Sequence, residues 1–300
     1  MASQTVSDLI AESDNKNAEQ IWWDQYGELN ESIWQYSPYL SHLIRAPYLS
    51  NMFDFLYKSD GRLLDFGCGT GWVSWPFAES GMNVVGIDLS GKQIERATQY
   101  AGERKISTAR YIQGDLAIIT EEAPFDAVII HSLLHHIPDV QKRAFLHTIA
   151  QSLGDGGRIF LYEPMATDPN RPWWGAAFDK VMLGLFRLME RLALSFGLFD
   201  PKYAELKKNG WQMVSPIEKP ILQSDLISIL PESLKFISIC YWHAYAVKYA
   251  NLCMALRKPW QQRLQHIAPL FCRLDEIILN SSLRDTTKVW PMASILLEKV

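Results

Sequence analysis

The chain has 300 residues, 48% hydrophobic and 21% charged, with a formal net charge of −4 from 29 Lys and Arg against 33 Asp and Glu. This is the composition of a soluble globular protein with room for one large domain or two small ones, and a pI near 6.0 leaves no basic excess for displacing phosphate counterions, which argues against a nucleic-acid partner. Cys68, Cys240, Cys253 and Cys272 show no CxxC spacing for zinc or a disulfide framework, no uncharged apolar run reaches the roughly 18 residues that span a bilayer, and the N-terminus lacks the basic start and apolar core of a secretory signal, so a cytoplasmic protein is expected.

The first 60 residues read as helical and amphipathic, with Ile21, Trp22, Trp23 and Tyr26 on neighbouring turns. From Arg62 short apolar runs alternate with helical stretches. The runs are RLLDF (62–66), NVVGI (83–87), ARYIQ (109–113), AVIIH (127–131) and RIFLY (158–162); between them lie GWVSWPFAES, KQIERATQYAG and VQKRAFLHTIAQSLG. Strand and helix at this cadence predict a parallel sheet with helices on both faces, and the unbroken apolarity of the runs suits strands buried on both sides. After Glu163 the cadence stops. A proline-punctuated loop (164–172) leads into WWGAAFDKVMLGLFRLMERLALSFGLF (173–199), whose apolar residues recur every three or four positions as in a helix. A more polar stretch follows, then a strand-like run at 236–247, helix to about Leu279, and a final strand in WPMASILLEKV. The parse is an α/β, Rossmann-like, doubly wound and mostly parallel seven-stranded sheet. It has an N-terminal helical lid (1–60) and a domain (61–300) carrying a helical insertion at about 164–235, after the fifth strand.

The strongest local signal is Leu63-Leu64-Asp65-Phe66-Gly67-Cys68-Gly69-Thr70-Gly71-Trp72. An apolar strand runs into a glycine-rich turn that opens a helix, an arrangement that brings backbone amides close to a ligand. A dinucleotide fingerprint reads GxGxxG; here the spacing is GxGxG, with Trp72 in place of the third glycine.

This D-x-G-x-G-x-G pattern resembles motif I of the class I S-adenosylmethionine-dependent methyltransferases. Asp88 in VVGIDLS, Asp115 in YIQGDL, the stretch FDAVIIHSLLHHIPD (125–139) and LGDGGRIFLYEP (153–164) fall in the order of that family's further motifs. The resemblance implies S-adenosylmethionine as cofactor and S-adenosylhomocysteine as product, with Asp88 accepting from the ribose hydroxyls and Asp115 from the adenine amino group. It places the cofactor among Asp65, Gly67, Cys68, Gly69, Gly71, Asp88, Leu89, Asp115, Leu116, His131 and Tyr26. Read alone, Asp88 or Ser90 suits an N-cap of the GKQIERA helix, Asp115 a turn, and Cys68 a small turn residue with no base beside it.

Methyl transfer to a hydroxyl gains from a general base, and histidine titrates in the right range. His131 ends the fourth strand, His135 and His136 follow it, and Glu163 ends the fifth strand, where similar methyltransferases carry a histidine with an acid. The first expectation is a His135–Glu163 pair as base and orienter, with His136 as second candidate; capping or packing under the lid is the competing reading. His147 and His243 read as structural. The implied activity is methylation of a small, hydrophobic or aromatic acceptor at oxygen. Carbon or nitrogen methylation, and a silent S-adenosylmethionine-binding subunit, are the alternatives, and GxGxG with Asp115 disfavours a nicotinamide reductase. HSLLHH stands where nucleobase amino methyltransferases carry an Asn-Pro-Pro-Tyr type tetrapeptide, and no cluster of acids for a metal is evident. The aromatic insertion (Trp173, Trp174, Phe178, Phe186, Phe196, Phe199) suits three placements: a wall of the acceptor pocket, a membrane surface, or a homodimer interface.

Overall fold

In β1 (Arg62–Phe66) Leu63 points to one side and Leu64 and Phe66 to the other, and all three are buried. The same alternation runs through β4 (Phe125–His131) and β5 (Leu153–Pro164). Ala127, Ile129, Phe160 and Tyr162 join Leu63 on one face; Val128, Ile130, Ile159 and Leu161 join Leu64 on the other. Both faces are covered, which is why apolar side chains occupy both sides of these strands. The computed structural model describes residues 16–25, 37–166, 173–208, 219–281, 284 and 290–300, without the side chains of 173–176 and 206–208.

The sheet has seven strands in the order β3-β2-β1-β4-β5-β7-β6, adding β2 (Asn83–Asp88), β3 (Ala109–Gln113), β6 (Leu234–His243) and β7 (Met292–Lys299). The pairs from β3 through β5 are parallel; β7 runs antiparallel to both β5 and β6. The chain winds outward from β1 in one direction and from β4 in the other. Their carboxyl ends therefore diverge into a crevice, the place where such sheets bind ligands.

Helices α3 (Trp75–Glu79), α4 (Gly91–Arg104), α5 (Leu116–Glu122) and α6 (Asp139–Ser152) make the crossovers. α3 is shorter than the sequence suggests, because the glycine turn continues to Ser74 before the helix starts. β5 is longer, beginning at Leu153 beside Phe125 with an irregular register before Ala127. The expected lid divides in two. Residues 16–25, here α1, form a short helix, whereas α2 (Pro38–Leu56) is core, burying Tyr48, Met52 and Leu56 against the sheet.

The strand-like run at 236–247 is a strand only to His243. Buried Asp275 accepts the N–H groups of Ala244, Tyr245 and Ala246 and so starts α10 (Tyr245–Met254). Helix α7 (Trp173–Ser195) lays Met182 and Phe186 on α10 and α12 (Ala268–Leu279), where the Tyr245 hydroxyl donates to buried Asp179. Helices α8 (Pro201–Lys208) and α11 (Lys258–Leu264) complete this helical cap, and α9 (Gln223–Ile229) packs on the sheet. No described helix is long and apolar enough to cross a membrane.

Gly71 has φ +79°, and a Cβ there meets the Tyr111 ring at 2.5–2.6 Å, whereas a Cβ on Gly102 in α4 meets nothing within 4 Å. Replacing Gly71 with Ala combines left-handed strain with overpacking and is expected to cost about 3 kcal/mol. Gly102→Ala is expected to stabilise by roughly 0.5–1 kcal/mol through helix propensity. Urea denaturation of the two variants gives opposite signs; equal effects contradict the assignment of Gly71 as a packing-restricted turn.

Candidate active site

The glycine turn is pinned to the neighbouring strand before any ligand is considered. The N–H groups of Gly67 and Cys68 donate to Ile87 O at 2.8 and 3.1 Å, so the turn leaves β1 level with the end of β2. Gly67 (φ +76°), Gly69 (φ +52°) and Gly71 all hold left-handed conformations that side chains resist. Asp88 then joins two loops: Oδ2 accepts from Gly69 N and Oδ1 from Ser90 N, each at 2.9 Å. Burial pushes the Asp88 carboxyl up, against the pull of these two N–H groups. Ser90, not Asp88, caps α4, accepting from Gln93 N.

Asp65 lies beneath the turn with 1% exposure, and its Oδ2 has no hydrogen-bond partner among the described residues. Burial pushes its carboxyl up to about 7, against a hydrogen bond from Ser74. Cys68 is buried and its thiol is pushed far up, as suits a turn residue and not a nucleophile. Asp115 caps α5 by accepting from Ala117 N and is also held by the Lys16 ammonium; the hydrogen bond from Lys16 is the main reason its carboxyl sits low. Leu116 packs on the core from the first turn of α5, and Leu89 O accepts from the Gln113 side-chain amide. Tyr26 lies outside the described residues.

At the end of β4 the chain turns sharply through Ser132, held at φ +54°, whose N–H donates to Tyr162 O at 2.7 Å. This turn aims the next three N–H groups back at β5. Glu163, fully buried, accepts from Leu133 N and Leu134 N on Oε1 (2.9 and 2.8 Å) and from His135 N on Oε2 (3.3 Å). His135 Nδ1 lies 2.6 Å from the same Oε2. Burial pushes the Glu163 carboxyl up, but His135 and the backbone donors outweigh it and hold the group below the ordinary range. The expected His135–Glu163 contact is thus formed. Nδ1 is committed to the carboxylate, and this contact sets the orientation of the ring.

His136 stacks at an angle on His135, with ring centroids 4.0 Å apart, and its Nδ1 lies 3.4 Å from Glu19 Oε2. His131 belongs to a different set. Its Nε2 meets the Tyr48 hydroxyl at 3.2 Å, its ring stacks on Tyr162 (4.8 Å), and Trp72 meets it edge-on. Loss of solvent in this aromatic box pushes His131 down to about 3, so it is neutral near pH 7. The Arg45 guanidinium covers the outer face of Trp72 at 3.9 Å.

The sequence does not single out Glu19, Arg45, Tyr48 or Tyr162. Tyr162 precedes Glu163 and so faces the opposite side of β5, but Arg45 and Tyr48 reach this end of the sheet only through the packing of α2. His243, expected to be structural, holds Ile44 O at 2.8 Å and is pushed by burial down to about 4. In the insertion, Phe186 and Phe199 are buried in the helical cap, whereas Phe178 and Phe196 are exposed. The side chains of Trp173 and Trp174 lie outside the described residues.

Residues 63–157 match the family model described as a methyltransferase domain. A ubiquinone biosynthesis O-methyltransferase of Xylella fastidiosa is 33% identical over 141 residues, 47% of this chain and 53% of that protein. The protein of the same name from Idiomarina loihiensis is 31% identical over 171 residues, 52% of this chain and 65% of its own. The chain thus spans about half to two thirds of the length of these curated relatives. Among solved structures, the cyclopropane synthase MmaA2 from Mycobacterium tuberculosis shares the fold with a TM-score of 0.55 at 14% identity, covering 85% of this chain and 84% of that one. The magnesium protoporphyrin IX methyltransferase from Synechocystis PCC 6803 shares it with a TM-score of 0.51 at 15% identity, covering 95% and 100%. Glycine turn, strand-end acids, sheet order and sequence match converge on the same stretch: residues 63–157 match a methyltransferase domain, carried on a sheet of the fold these structures share.

Proposed function

We propose that the protein transfers a methyl group from S-adenosylmethionine to a hydroxyl of a small hydrophobic or aromatic acceptor, using the His135–His136 pair as base. The observation that carries this reading is the 2.6 Å contact between His135 Nδ1 and Glu163 at the carboxyl ends of β4 and β5.

The residues present suit the cofactor. A Cβ on Gly69 meets nothing closer than Gln93 Oε1 at 3.8 Å, so the turn is open above that backbone. The orphaned Asp65 Oδ2 calls for a donor, and the ammonium of the amino-acid moiety is one. The Asp88 carboxylate, held by Gly69 N and Ser90 N, retains acceptor capacity for the ribose hydroxyls. Asp115, on the neighbouring strand end, suits the adenine amino group. When bound, the sulfonium supplies an already activated methyl group; the chain has only to align the acceptor, exclude water and take up its proton.

In this reading Glu163 fixes the His135 ring through Nδ1 and stabilises the imidazolium that forms when the histidine pair takes up the acceptor's proton. Tyr48, Trp72, Tyr162 and neutral His131 supply an aromatic wall, with the Arg45 guanidinium against the Trp72 ring. The acceptor reading draws support from relatives named as O-methyltransferases, and the neutrality of His131 suits an apolar ring.

The insertion takes a different role from the pocket wall, in our reading. Val181, Leu185, Leu188, Leu192 and Phe196 line the outward side of α7 and the turn beyond it, exposed by 42–73%. We propose that this stripe contacts a membrane surface or a second copy of the chain.

Three outcomes test these proposals. His135→Ala is expected to lower kcat by about 10²–10³ on a panel of phenols and catechols, with S-adenosylhomocysteine affinity unchanged by calorimetry; turnover that survives both this change and His136→Ala rules out the histidine base. Because the ammonium requires ionised Asp65, and this carboxyl sits near pH 7 in the free protein, binding below pH 7 must displace a proton. Affinity for S-adenosylhomocysteine is therefore expected to be about tenfold weaker at pH 6 than at pH 8, and the dependence is expected to flatten in Asp65→Asn; a flat wild-type profile contradicts the assignment. Finally, Leu188→Glu with Leu192→Glu is expected to abolish vesicle co-sedimentation or dimerisation measured by light scattering. Wild-type protein that shows neither behaviour disproves the outward contact.

A further inference from the structure

A surface helix normally turns its apolar side inward, and α1 turns charged groups inward beside its tryptophans. Ile21 is 64% exposed, whereas Glu19 is 6% exposed and Trp23 and Asp24 are half-buried. Lys16, Glu19, Trp23 and Asp24 recur at intervals of three, four and one, so they share one side of the helix. That side lies over the carboxyl ends of three strands. Lys16 holds Asp115 after β3, the Asp24 carboxylate accepts from the Ser90 hydroxyl after β2, and Glu19 meets His136 after β4. A helix that buries charge in this way is matched to a polar site beneath it. Glu19 is itself held in place: its Oε2 accepts from Trp23 Nε1 at 3.1 Å, one turn along, and the Trp23 ring meets His136 edge-on at 5.9 Å.

We propose that Glu19 is a positioning residue for His136, doing from the lid what Glu163 does for His135 from the sheet. The inference rests on the methyl-transfer reading. Its content is that the base is a set of four groups, Glu163, His135, His136 and Glu19, two of them imidazoles in contact and two of them carboxylates on either side. When the acceptor O–H breaks, its proton passes to an imidazole nitrogen of the pair. The freed electron pair forms the new O–CH3 bond while the C–S electrons return to sulfur, and the proton leaves later to solvent. One positive charge then lies between two carboxylates, which favours the charged pair. Because Glu19 comes from α1 and Glu163 from β5, the set is complete only with α1 in place over the strand ends, and proton uptake is thereby tied to closure of the site.

His136 is faced by Glu19 from α1, by His135 in its own turn and, behind His135, by Glu163 of β5; the nearby cations Lys142 and Lys219 are both paired with Asp139 of α6. The test is Glu19→Gln, which keeps the shape and a hydrogen-bond acceptor and removes the charge. Side-chain 15N spectra of the S-adenosylhomocysteine complex, titrated with pH, are expected to show the His136 pKa about one unit lower than in the wild type, with the His135 pKa moving less. Calorimetry is expected to give an S-adenosylhomocysteine affinity within about threefold of wild type. On the phenol that wild type methylates fastest, kcat is expected to fall about tenfold with KM little changed. A His136 pKa that does not move, in a variant that still binds S-adenosylhomocysteine, overturns this inference alone. Wild-type protein that fails to bind S-adenosylhomocysteine overturns the methyl-transfer reading and this inference with it.

Discussion

A buried carboxylate at the end of β5 organises this end of the molecule. Glu163 is fully buried, and removing its charge from water costs several kcal/mol. Three backbone N–H groups and one imidazole repay that cost, each hydrogen bond to a charge contributing about 1.5–3 kcal/mol. The geometry of the 133–135 turn follows from this demand. The chain leaves β4 through a left-handed serine because only that turn brings three consecutive donors to one carboxyl group. The histidine carried by the turn is oriented as a consequence, so one interaction both folds the loop and prepares the candidate base.

The same device recurs elsewhere with different results. Asp88 gathers one N–H from the glycine turn and one from the loop before α4, and thereby fixes the spacing of the two loops that border the cofactor region. Asp275 gathers three N–H groups at the start of α10, far from the crevice, and there the outcome is architectural: it ends β6 and starts the helical cap. A carboxylate that satisfies backbone donors is therefore not by itself a sign of chemistry. Asp65 is the exception that points to a ligand, because one of its buried oxygens is left without a donor while burial holds its proton affinity high.

Between these buried acids and solvent stands α1, a helix with its charges turned inward and its isoleucine turned out. It ties together the ends of β2, β3 and β4, strands that otherwise meet only through the sheet. Polar contacts of this kind contribute little to stability on an exposed surface, and the Lys16–Asp115 pair is half exposed. Their value lies in register: each contact fixes α1 over a particular strand end. The helical cap, in contrast, is held by apolar packing around Tyr245 and Phe186, and its remaining apolar stripe is turned to solvent.

Much of this was legible from local pattern. The five parallel strands, the glycine turn, the acids Asp65, Asp88 and Asp115 and the final strand all follow from short stretches whose periodicity or motif is self-contained, whereas the pairing of His135 with Glu163 is expected only from the family resemblance. Strand alternation and glycine turns are decided within a few residues, so the sequence by itself determined them. What it left open depends on groups distant along the chain. The end of β6 at His243 is set by Asp275, 32 residues on. The reassignment of α2 from lid to core is set by its fit against β5, and the separation of His131 from the site's acids is set by Tyr48 of α2. Glu19 meets His136 across more than a hundred residues, and no spacing rule relates them. Only the tertiary structure decides such pairs, because a buried polar group takes whichever partner the folded chain brings within hydrogen-bond reach.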